Sequence, residues 1–447
     1  MKSKIFISDK NKSLFESSVS FKRDPEAENK VLNIYPKMKY QKVLGFGSAF
    51  TDASANVFYQ MNEKDRESFI EAYFDSEKGL ALNFCRTHIN SCDFSADKYT
   101  YIEEGDKELE TFSIKHDEEK IIPMIKLAKE KCADELKLFC SPWSPPAFMK
   151  SNKNMLLGGK LLPEFYQAWA DYFVKYIQCY KEHGIEFLGL TVQNEPMALQ
   201  TWESCKYTSI ETLEFVKNYL YPALKNAELD TKIMIWDHNK EHAFDWADDI
   251  LKIEDAEKMV WGIAFHWYSG DHFDALRMIN EINPELKIIE SEFCVGMHSM
   301  TKKNVWDSAM GYAHDIIGNF NNYMHATVDW NMLLDEKGGP FHARLSGCGA
   351  MMQYDRKKKK LYKTRLYDAM AHFSKFIKRD AVRLGTTSFS SNIQLTAFEN
   401  PDKSIVSVIQ NTGNDASVVI RIDNNAGKIK LPAKSIATIV INDRNID

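Results

Sequence analysis

Short apolar runs alternate with longer amphipathic runs between about residue 43 and residue 375. Apolar runs of strand length, separated by segments with helical spacing, are typical of repeated βα units. The eight candidate strands are KVLGFG (42–47), LNFCRTHI (82–89), LKLFCSPW (136–143), FLGLTVQN (187–194), TKIMIWDH (231–238), WGIAFHW (261–267), LKIIESEF (286–293) and HATVDWN (325–331). Eight such units predict an α/β fold, the (β/α)8 TIM barrel.

The pattern changes after about residue 376, where apolar and polar residues alternate with a period of two and turn residues separate the runs. This alternation predicts antiparallel strands. The segment is short for a complete β-sandwich, so IFIS (5–8) and KVLNIYP (30–36) are expected to add strands to it. We therefore predict N-terminal sandwich strands in residues 1–40, the barrel in 41–375 and C-terminal sandwich strands in 376–447.

Composition is that of a folded globular protein. Of the 447 residues, 44% are hydrophobic and 27% are charged, and the formal net charge is −6. This charge does not indicate a nucleic-acid partner, and the basic run RKKKK (356–360) is interpreted as a solvated loop. The eight cysteines form no CxxC pair. We interpret them as reduced core residues, and the sequence predicts neither a metal site nor a cofactor.

The N-terminal segment MKSKIFISDKNKSLFESS lacks an apolar stretch followed by a small-residue cleavage pattern, so it does not resemble a secretory signal. No run reaches the roughly 18 apolar residues of a membrane-spanning helix. These features predict a cytoplasmic protein without stable membrane insertion. They leave the oligomeric state open.

The stretch TVQNEP (191–196) places a carboxylate where the fourth candidate strand ends. Pro196 disfavours helical backbone at the preceding residue, so Glu195 is expected to be extended. In a TIM barrel, catalytic residues lie at the carboxyl ends of the strands. Glu195 is therefore a candidate catalytic residue.

A second carboxylate lies in IIESEFCVG (288–296), at the end of the seventh candidate strand. Strand periodicity points Glu290 and Glu292 to the same side and cannot choose between them. Glu292 lies farther toward the carboxyl end, so it is the better candidate, and Glu290 is expected to form a structural ion pair. Strands four and seven face each other across the barrel mouth. Two carboxyl groups about 5–5.5 Å apart would suit retaining glycoside hydrolysis.

Eight motifs together resemble the glucosylceramidase family, family 30 of the glycoside hydrolases. They are TVQNEP, ESEFCVG, VLGFGSAFTDASA (43–55), SCDFSADKYTY (91–101), SPWSPPAFMK (141–150), FHWYSG (265–270), VDWNMLLDEKGGP (328–340) and YDAMAHFSKFI (367–377). The resemblance implies a TIM barrel fused to a β-sandwich that both chain termini build. It also implies a retaining mechanism through a glycosyl-enzyme intermediate.

The resemblance assigns roles around the two carboxylates. Glu195 resembles the acid/base and Glu292 the nucleophile, with Arg86 and Tyr268 beside it. Asn194 resembles a residue that hydrogen-bonds either the sugar 2-hydroxyl or the nucleophile. Glu195 must hold a proton near neutral pH, so its pKa is expected to be raised, whereas Glu292 must stay ionised.

The resemblance also assigns the sugar ligands. Asp93 and Trp143 resemble residues that bind sugar hydroxyls, and Trp330 resembles the aromatic side chain that lines the pocket. Trp202 and His266 are further candidates. Each has a structural alternative: packing for the tryptophans, an Asx turn for Asp93 and a hydrogen-bonded core position for His266.

The chain departs from the family after GGP, where the glucosylceramidases carry an Asn that binds sugar hydroxyls. Here the sequence is FHARLSGCGAMM (341–352), with Leu345 near that place. His342 or Arg344 could substitute, so the identity of the sugar stays open. The predicted substrate is a small-molecule or oligosaccharide β-glycoside, with a soluble or imported glycoside favoured over a lysosomal lipid.

The leading hypothesis is a β-glucosidase or glucosylceramidase-like enzyme, and β-xylosidase, β-fucosidase or endo-β-1,6-glucanase activity are alternatives within the same family. A metal-dependent hydrolase would use His266, Asp271, His272 and Glu292, which lack a recognised ligand spacing. A non-catalytic carbohydrate-binding protein is the third class.

Overall fold

The computed structural model describes residues 3–442. The strands, in chain order, are β1 (Ser3–Ser8), β2 (Phe15–Ser18), β3 (Phe21–Arg23), β4 (Val31–Lys42), β5 (Gly45–Phe50), β6 (Phe84–Ile89), β7 (Lys137–Pro142), β8 (Gly189–Thr191), β9 (Lys232–Asn239), β10 (Val260–His266), β11 (Lys287–Glu292), β12 (Ala326–Asp329), β13 (Leu333–Asp335), β14 (Met352–Asp355), β15 (Lys360–Lys363), β16 (Val382–Ser388), β17 (Ile393–Glu399), β18 (Ile405–Asn411), β19 (Ala416–Ile422), β20 (Asn425–Leu431) and β21 (Ser435–Ile441).

The helices, also in chain order, are α1 (Asp52–Gln60), α2 (Glu63–Phe74), α3 (Lys115–Glu119), α4 (Ile121–Lys131), α5 (Tyr166–Glu182), α6 (Ser209–Phe215), α7 (Tyr221–Asn226), α8 (Ala243–Ile250), α9 (Ala256–Met259), α10 (Phe273–Ile282), α11 (Val305–Asn321) and α12 (Arg365–Ser374). A π-helical turn (Val216–Leu220) joins α6 to α7. None of the helices within residues 3–442 combines the length and apolar character needed to span a bilayer.

Strands β5 to β12 close into a parallel barrel in chain order, each paired with its neighbours. The predicted TIM barrel is confirmed, and all eight candidate strands are in it. Apolar side chains from the strands fill the barrel interior, including Phe84, Phe139, Met234 and Ile289. This packed interior leaves the carboxyl ends of the strands as the place for a site.

Helix α5 shows why the sequence between strands forms helices on the outside of the barrel. Its buried residues recur three or four positions apart, so they form a single stripe along the helix: Trp169, Ala170, Tyr172, Phe173, Tyr176, Ile177 and Tyr180. Gly184 follows the helix with a φ of 75°, a left-handed conformation that favours glycine and ends helices.

The sandwich is one ten-stranded sheet with the order β2-β1-β21-β18-β17-β16-β4-β19-β20-β3. Buried side chains from both halves of this sheet form one apolar core, to which β1, β4 and the C-terminal strands contribute. The predicted contribution of both termini is confirmed, although strand β4 continues to Lys42. The sandwich is tied to helix α12 by His372, whose ring nitrogens bond to Ser8 and Thr438 at 2.8 and 2.9 Å.

A glycine on β5 tests how closely the barrel strands pack. A Cβ atom at Gly47 would lie 1.5 Å from the backbone oxygen of Phe84, which belongs to the neighbouring strand. Because a backbone atom cannot rotate away, we expect Gly47→Ala to lower the free energy of unfolding by about 3 kcal/mol or more. This change in the free energy of unfolding can be measured by urea denaturation monitored by circular dichroism.

The matched control is Gly311→Ala on helix α11, where an added Cβ meets no atom within 4 Å. Alanine is the better helix former, so this variant should gain about 0.5–1 kcal/mol. Equal stability of the two variants would contradict the close packing of β5 against β6.

Candidate active site

The structure brings the two candidate carboxylates together at the carboxyl ends of β8 and β11. Glu292 is the last residue of β11, and Glu195 follows β8 by four residues. One carboxylate oxygen of each residue and a ring nitrogen of His266 lie within 4.8 Å of one another. The Glu195 side chain is 14% exposed and the Glu292 side chain 9%. Both are therefore reachable from solvent and largely desolvated.

The backbone of Glu195 differs from the sequence prediction. Its φ is 47°, in the left-handed region, so the expectation of an extended conformation is wrong. Strand β8 ends at Thr191, and the chain then turns. The amide of Glu195 donates to the Asp237 carbonyl at 2.9 Å, and its carbonyl accepts from the amide of Ala198 at 2.9 Å. These turn hydrogen bonds hold Glu195 in a conformation that costs a non-glycine residue free energy, and such strained residues are enriched at functional sites.

Arg86, on β6, is fully buried and connects the residues around it. Its guanidinium donates to Glu292 Oε2 at 2.8 Å, to Asp237 Oδ2 at 2.7 Å and to Asn194 Oδ1 at 2.9 Å. Its Nε donates to Ser141 Oγ at 3.1 Å. Since Arg86 occupies Asn194 Oδ1, the Asn194 NH2 group is the part left to donate to a ligand.

Asp237, on β9, is a site residue that the sequence reasoning missed. Besides Arg86, it accepts hydrogen bonds from Thr191 Oγ1 at 2.6 Å and Ser291 Oγ at 2.6 Å, and its Oδ1 lies 3.1 Å from His266 Nε2. Burial alone would raise its pKa, but the Arg86 charge and the His266 and Ser291 hydrogen bonds hold that pKa well below its usual range. Asp237 is therefore ionised.

An irregularity in β9 positions Asp237. The pairing of β9 with β10 passes from Trp236 to His238 and skips Asp237, and Trp236 and Asp237 have φ values of 75° and 57°. Such bulges redirect side chains and occur next to active sites. Asp237 lies near the end of the candidate strand TKIMIWDH, and this position could have marked it as a site residue. The bulge that turns its side chain into the site cannot be inferred from strand periodicity.

His266, the last residue of β10, bridges two carboxylates. Its Nδ1 lies 3.3 Å from Glu195 Oε1, and its Nε2 faces Asp237. Burial disfavours a charged imidazole, but the charge of Glu292 and the bonds to Asp237 and Glu195 outweigh it and raise the pKa of His266 to about 9. The structure thus places a protonated histidine beside Glu195.

Of the pair Glu195 and His266, the proton therefore lies on His266 and not on Glu195. Burial alone would raise the pKa of Glu195, but the hydrogen bond from His266, the nearby His238 and Gln200 lower it to about 2. The expectation of a raised pKa is wrong for the ligand-free site. The sequence could not show that a histidine from a different strand lies against this carboxylate.

Glu292 is held by Arg86 and Tyr268, as predicted, but its pKa is raised. Tyr268 donates to Glu292 Oε1 at 2.9 Å, and Arg86 binds the other oxygen. Burial, and to a smaller extent the Glu195 charge, raise the pKa of Glu292. The charges of His266 and Arg86 and the hydrogen bond from Tyr268 lower it. Arg86 and Tyr268 thus favour the ionised form, as predicted, although the balance leaves the pKa above its ordinary value.

Aromatic side chains form one wall of the site. The rings of Trp143 and Trp330 are stacked with centroids 5.1 Å apart and planes 19° apart. The Arg86 guanidinium lies 4.7 Å from the Trp143 ring and 5.5 Å from the Trp330 ring. Trp202 is half-buried and packs against the same apolar cluster. All three candidate tryptophans are therefore at this end of the barrel.

Asp93 lies in the loop after β6 and forms no Asx turn. Its carboxylate pairs with Arg344, and burial raises its pKa to about 7 despite the Arg344 charge. His342 instead pairs with Glu203 at 2.9 Å. Leu345 is fully exposed. Of the two substitutes considered for the missing Asn, it is Arg344 whose side chain contacts the carboxylate of a sugar-ligand candidate.

Glu290 takes no part in this cluster. It is fully buried and accepts hydrogen bonds from Thr327 Oγ1 at 2.5 Å and Asn319 Nδ2 at 2.9 Å. Burial and the nearby Asp315 carboxylate raise its pKa well above its ordinary value. Glu290 is thus structural, as expected, but as a protonated acid and not as half of an ion pair.

The four ligands of the metal-hydrolase alternative are not assembled. Within residues 3–442, the three-residue cluster whose ligand atoms lie close enough to hold a metal ion is Glu195, His266 and Glu292. Asp271 instead pairs with His314 at 3.1 Å. Both ring nitrogens of His266 already face carboxylates, so neither is a free lone pair for a metal. The geometry favours chemistry by the carboxylates themselves.

Comparisons with known proteins cover both the barrel and the sandwich. The family model described as "Glycosyl hydrolase family 30 TIM-barrel domain" matches residues 43–377, and "Glycosyl hydrolase family 30 beta sandwich domain" matches residues 380–439. The chain is 33% identical to the lysosomal acid glucosylceramidase of Mus musculus over 402 residues, which are 86% of this chain and 78% of that protein.

Two solved structures are similar over almost the whole chain. The crystal structure of SrfJ from Salmonella typhimurium superposes with a TM-score of 0.96 at 34% identity, covering 99% of this chain and 100% of that one. The endo-β1,6-glucanase BT3312 superposes with a TM-score of 0.89 at 26% identity, also covering 99% and 100%.

The His266 proton can be observed directly. In carbon-13 NMR of histidine-labelled protein, with His266→Gln for assignment, we expect the imidazole to titrate near pH 9. Because the Glu292 charge is the largest favourable contribution to that pKa, Glu292→Gln should lower the midpoint. Below the unfolded value near 6.5 the bound proton stabilises the fold by about 3 kcal/mol, and this is lost as pH rises toward 9.

His325 is the control, because burial and Lys287 lower its pKa to about 3 and its backbone bond from Ile288 does not offset them. It should show no titration between pH 5 and 10. A neutral His266 at pH 7 would contradict the proton assignment.

Proposed function

Because the chain belongs to glycosyl hydrolase family 30 and is a glycoside hydrolase, we propose that it is a retaining β-glycosidase acting by double displacement. The observation that carries this proposal is the short separation of Glu195 and Glu292, with oxygens within 4.8 Å. Retaining enzymes hold their carboxyl groups about 5–5.5 Å apart, whereas inverting enzymes need about 6.5–9.5 Å to admit a water molecule.

Glu292 is the nucleophile in this proposal. Arg86 and Tyr268 hold both of its oxygens, which orients the carboxylate and favours its ionised form. It attacks the anomeric carbon and forms a glycosyl ester. Water then hydrolyses this ester with retention of configuration.

Glu195 is the acid/base, and His266 holds its proton in the ligand-free site. When Glu292 forms the ester, it loses the charge that contributes most to the raised pKa of His266. As that charge is lost, the imidazolium gives its proton across 3.3 Å to Glu195, which passes it to the leaving oxygen in the same step, so that the glycosidic C–O bond breaks as the ester bond forms. In the second step the proton of the attacking water returns by the same path.

Sugar binding is assigned to the aromatic wall and the polar groups beside it. Trp143 and Trp330 offer flat apolar faces for the C–H surface of the ring, and Trp202 lies at the edge of this wall. Asn194 and Asp93 supply directional hydrogen bonds. This division between apolar faces and a few polar groups is usual in ligand pockets.

A β-glucoside is the favoured substrate, since the mouse relative is named a glucosylceramidase. The similarity to an endo-β1,6-glucanase keeps that activity as an alternative, with β-xylosidase and β-fucosidase. Initial rates on 4-nitrophenyl β-glucoside, β-xyloside and β-fucoside distinguish the sugars. We expect the glucoside to be hydrolysed fastest. Binding of sugars without any turnover would instead support the carbohydrate-binding class.

Substitution of the nucleophile tests the mechanism. We expect Glu292→Gln to lower kcat by several orders of magnitude, because an amide cannot form the ester. Wild-type enzyme treated with a 2-fluoro glycoside inactivator should carry the label on Glu292 in peptide mass spectrometry. Glu290→Gln, on the same strand, is the matched control and should retain activity, since Glu290 is already neutral. A label on any other residue would contradict the assignment.

Substitution of the acid/base should depend on the leaving group. Glu195→Ala should retain activity on dinitrophenyl glycosides, whose leaving group needs no proton, and lose it on alkyl glycosides. Added azide should raise its rate and yield the β-glycosyl azide, detected by NMR. Equal residual efficiency on both substrates would show that Glu195 is not the acid.

A further inference from the structure

The loop from 336 to 351, between β13 and β14, lies over Asp93. The amide of His342 donates to the Asp93 carbonyl at 3.1 Å, and His342 Nδ1 lies 3.0 Å from the Ser95 carbonyl. On the other side, Thr201 Oγ1 donates to the Ala343 carbonyl at 2.6 Å. The loop is thus fastened both to the loop after β6 and to the loop that follows Glu195.

Arg344 is the residue of this loop that reaches Asp93. Its Nη1 forms an ion pair with Asp93 Oδ2. The guanidinium carbon also lies 5.1 Å from the Phe94 ring and 4.7 Å from the Trp202 ring, distances at which a cation is attracted to aromatic rings. Phe94, Arg344 and Trp202 therefore form a continuous barrier above Asp93, which is only 3% exposed.

The second oxygen of Asp93 has no partner. Asp93 Oδ1 is buried and meets no hydrogen-bond donor within residues 3–442. A buried acceptor without a donor costs free energy, and such groups in native proteins usually await a ligand or water. A hydroxyl group of a bound sugar would supply the donor. Arg344 holds Oδ2 and opposes the effect of burial on the pKa of Asp93, which favours the ionised form that accepts hydrogen bonds.

We propose that Arg344 is a specificity-determining residue, which positions Asp93 for one hydroxyl of a terminal sugar and closes the pocket beyond it. The inference rests on the proposed function and extends it. Phe94, Arg344 and Trp202, in contact with one another beside Asp93, would block a second sugar on that side. The enzyme therefore removes single terminal sugars, although one of its structural relatives is named an endo-glucanase.

The test compares two substrates of one sugar. The first is the 4-nitrophenyl β-glycoside that is hydrolysed fastest among the monosaccharide substrates above. The second carries one further sugar at its non-reducing end; if the sugar is glucose, this substrate is 4-nitrophenyl β-gentiobioside. The wild-type enzyme should release nitrophenol from the longer substrate only after a lag, and chromatography should detect the monosaccharide without intact disaccharide. Direct release of the disaccharide by the wild-type enzyme would overturn the proposal.

Variants of Arg344 separate its positioning role from a general effect on folding. Arg344→Ala should raise KM for the monosaccharide glycoside about tenfold or more, the worth of a hydrogen bond to a charged group, with a smaller change in kcat. It should also begin to release disaccharide. Arg344→Lys should restore part of the affinity. Arg421→Ala, which removes an ion pair with Asp24 in the sandwich, is the control and should match the wild type.

The outcomes distinguish this inference from the function on which it rests. Unchanged KM in both Arg344 variants, with unchanged thermal unfolding, would refute the role of Arg344 alone. If Arg344→Ala does not fold, a wild-type KM in Arg344→Lys would refute it. Failure of the wild-type enzyme to hydrolyse any aryl glycoside would refute the proposed function and this inference with it.

Discussion

The buried guanidinium of Arg86 is the interaction on which the active site depends. It bonds at once to Glu292, Asp237 and Asn194, which come from three different strand ends. In a desolvated environment carboxylates take up protons unless a cation faces them, and an arginine cannot lose its proton. Arg86 therefore keeps Asp237 ionised and orients Glu292. Removing it would leave buried charges unpaired, at a cost of about 3–5 kcal/mol, so the site and the stability of the barrel are coupled.

The backbone supports this cluster by departing from regular strands. The pairing of β9 with β10 skips Asp237, and that of β10 with β11 skips Ser291. The two skipped residues bond to each other, Ser291 Oγ to Asp237 Oδ1 at 2.6 Å. The Asp237 carbonyl also accepts a hydrogen bond from the amide of Glu195, the residue with left-handed backbone, at 2.9 Å. The irregular positions thus support one another, and strain of this kind persists where surrounding contacts determine it.

Much of the fold and part of the site could be predicted from the sequence. Alternating apolar runs predicted all eight barrel strands, because strand and helix periodicities are local properties. Glu292 could be selected because it ends a strand, and Glu195 because it lies in the short segment that follows one. Asp237 could not, since its role depends on a bulge and on four neighbours from other strands. The predicted location of the proton was wrong for the same reason. The prediction considered only Glu195 and Glu292, whereas His266 lies against Glu195 and Asp237 through tertiary contacts that the sequence does not reveal.

The charge balance of the cluster explains why the proton belongs on His266 before substrate binds. Two cations, Arg86 and His266, face the three carboxylates of Asp237, Glu195 and Glu292, so the site carries one net negative charge. Glycoside hydrolysis develops positive charge on the sugar ring in its transition state, which this excess stabilises. A proton placed on Glu195 with His266 neutral gives the same total but moves the negative charge away from the leaving group. In the proposed mechanism, with the proton on His266, formation of the ester at Glu292 removes the charge that retained this proton, and the acid becomes available as the glycosidic bond breaks.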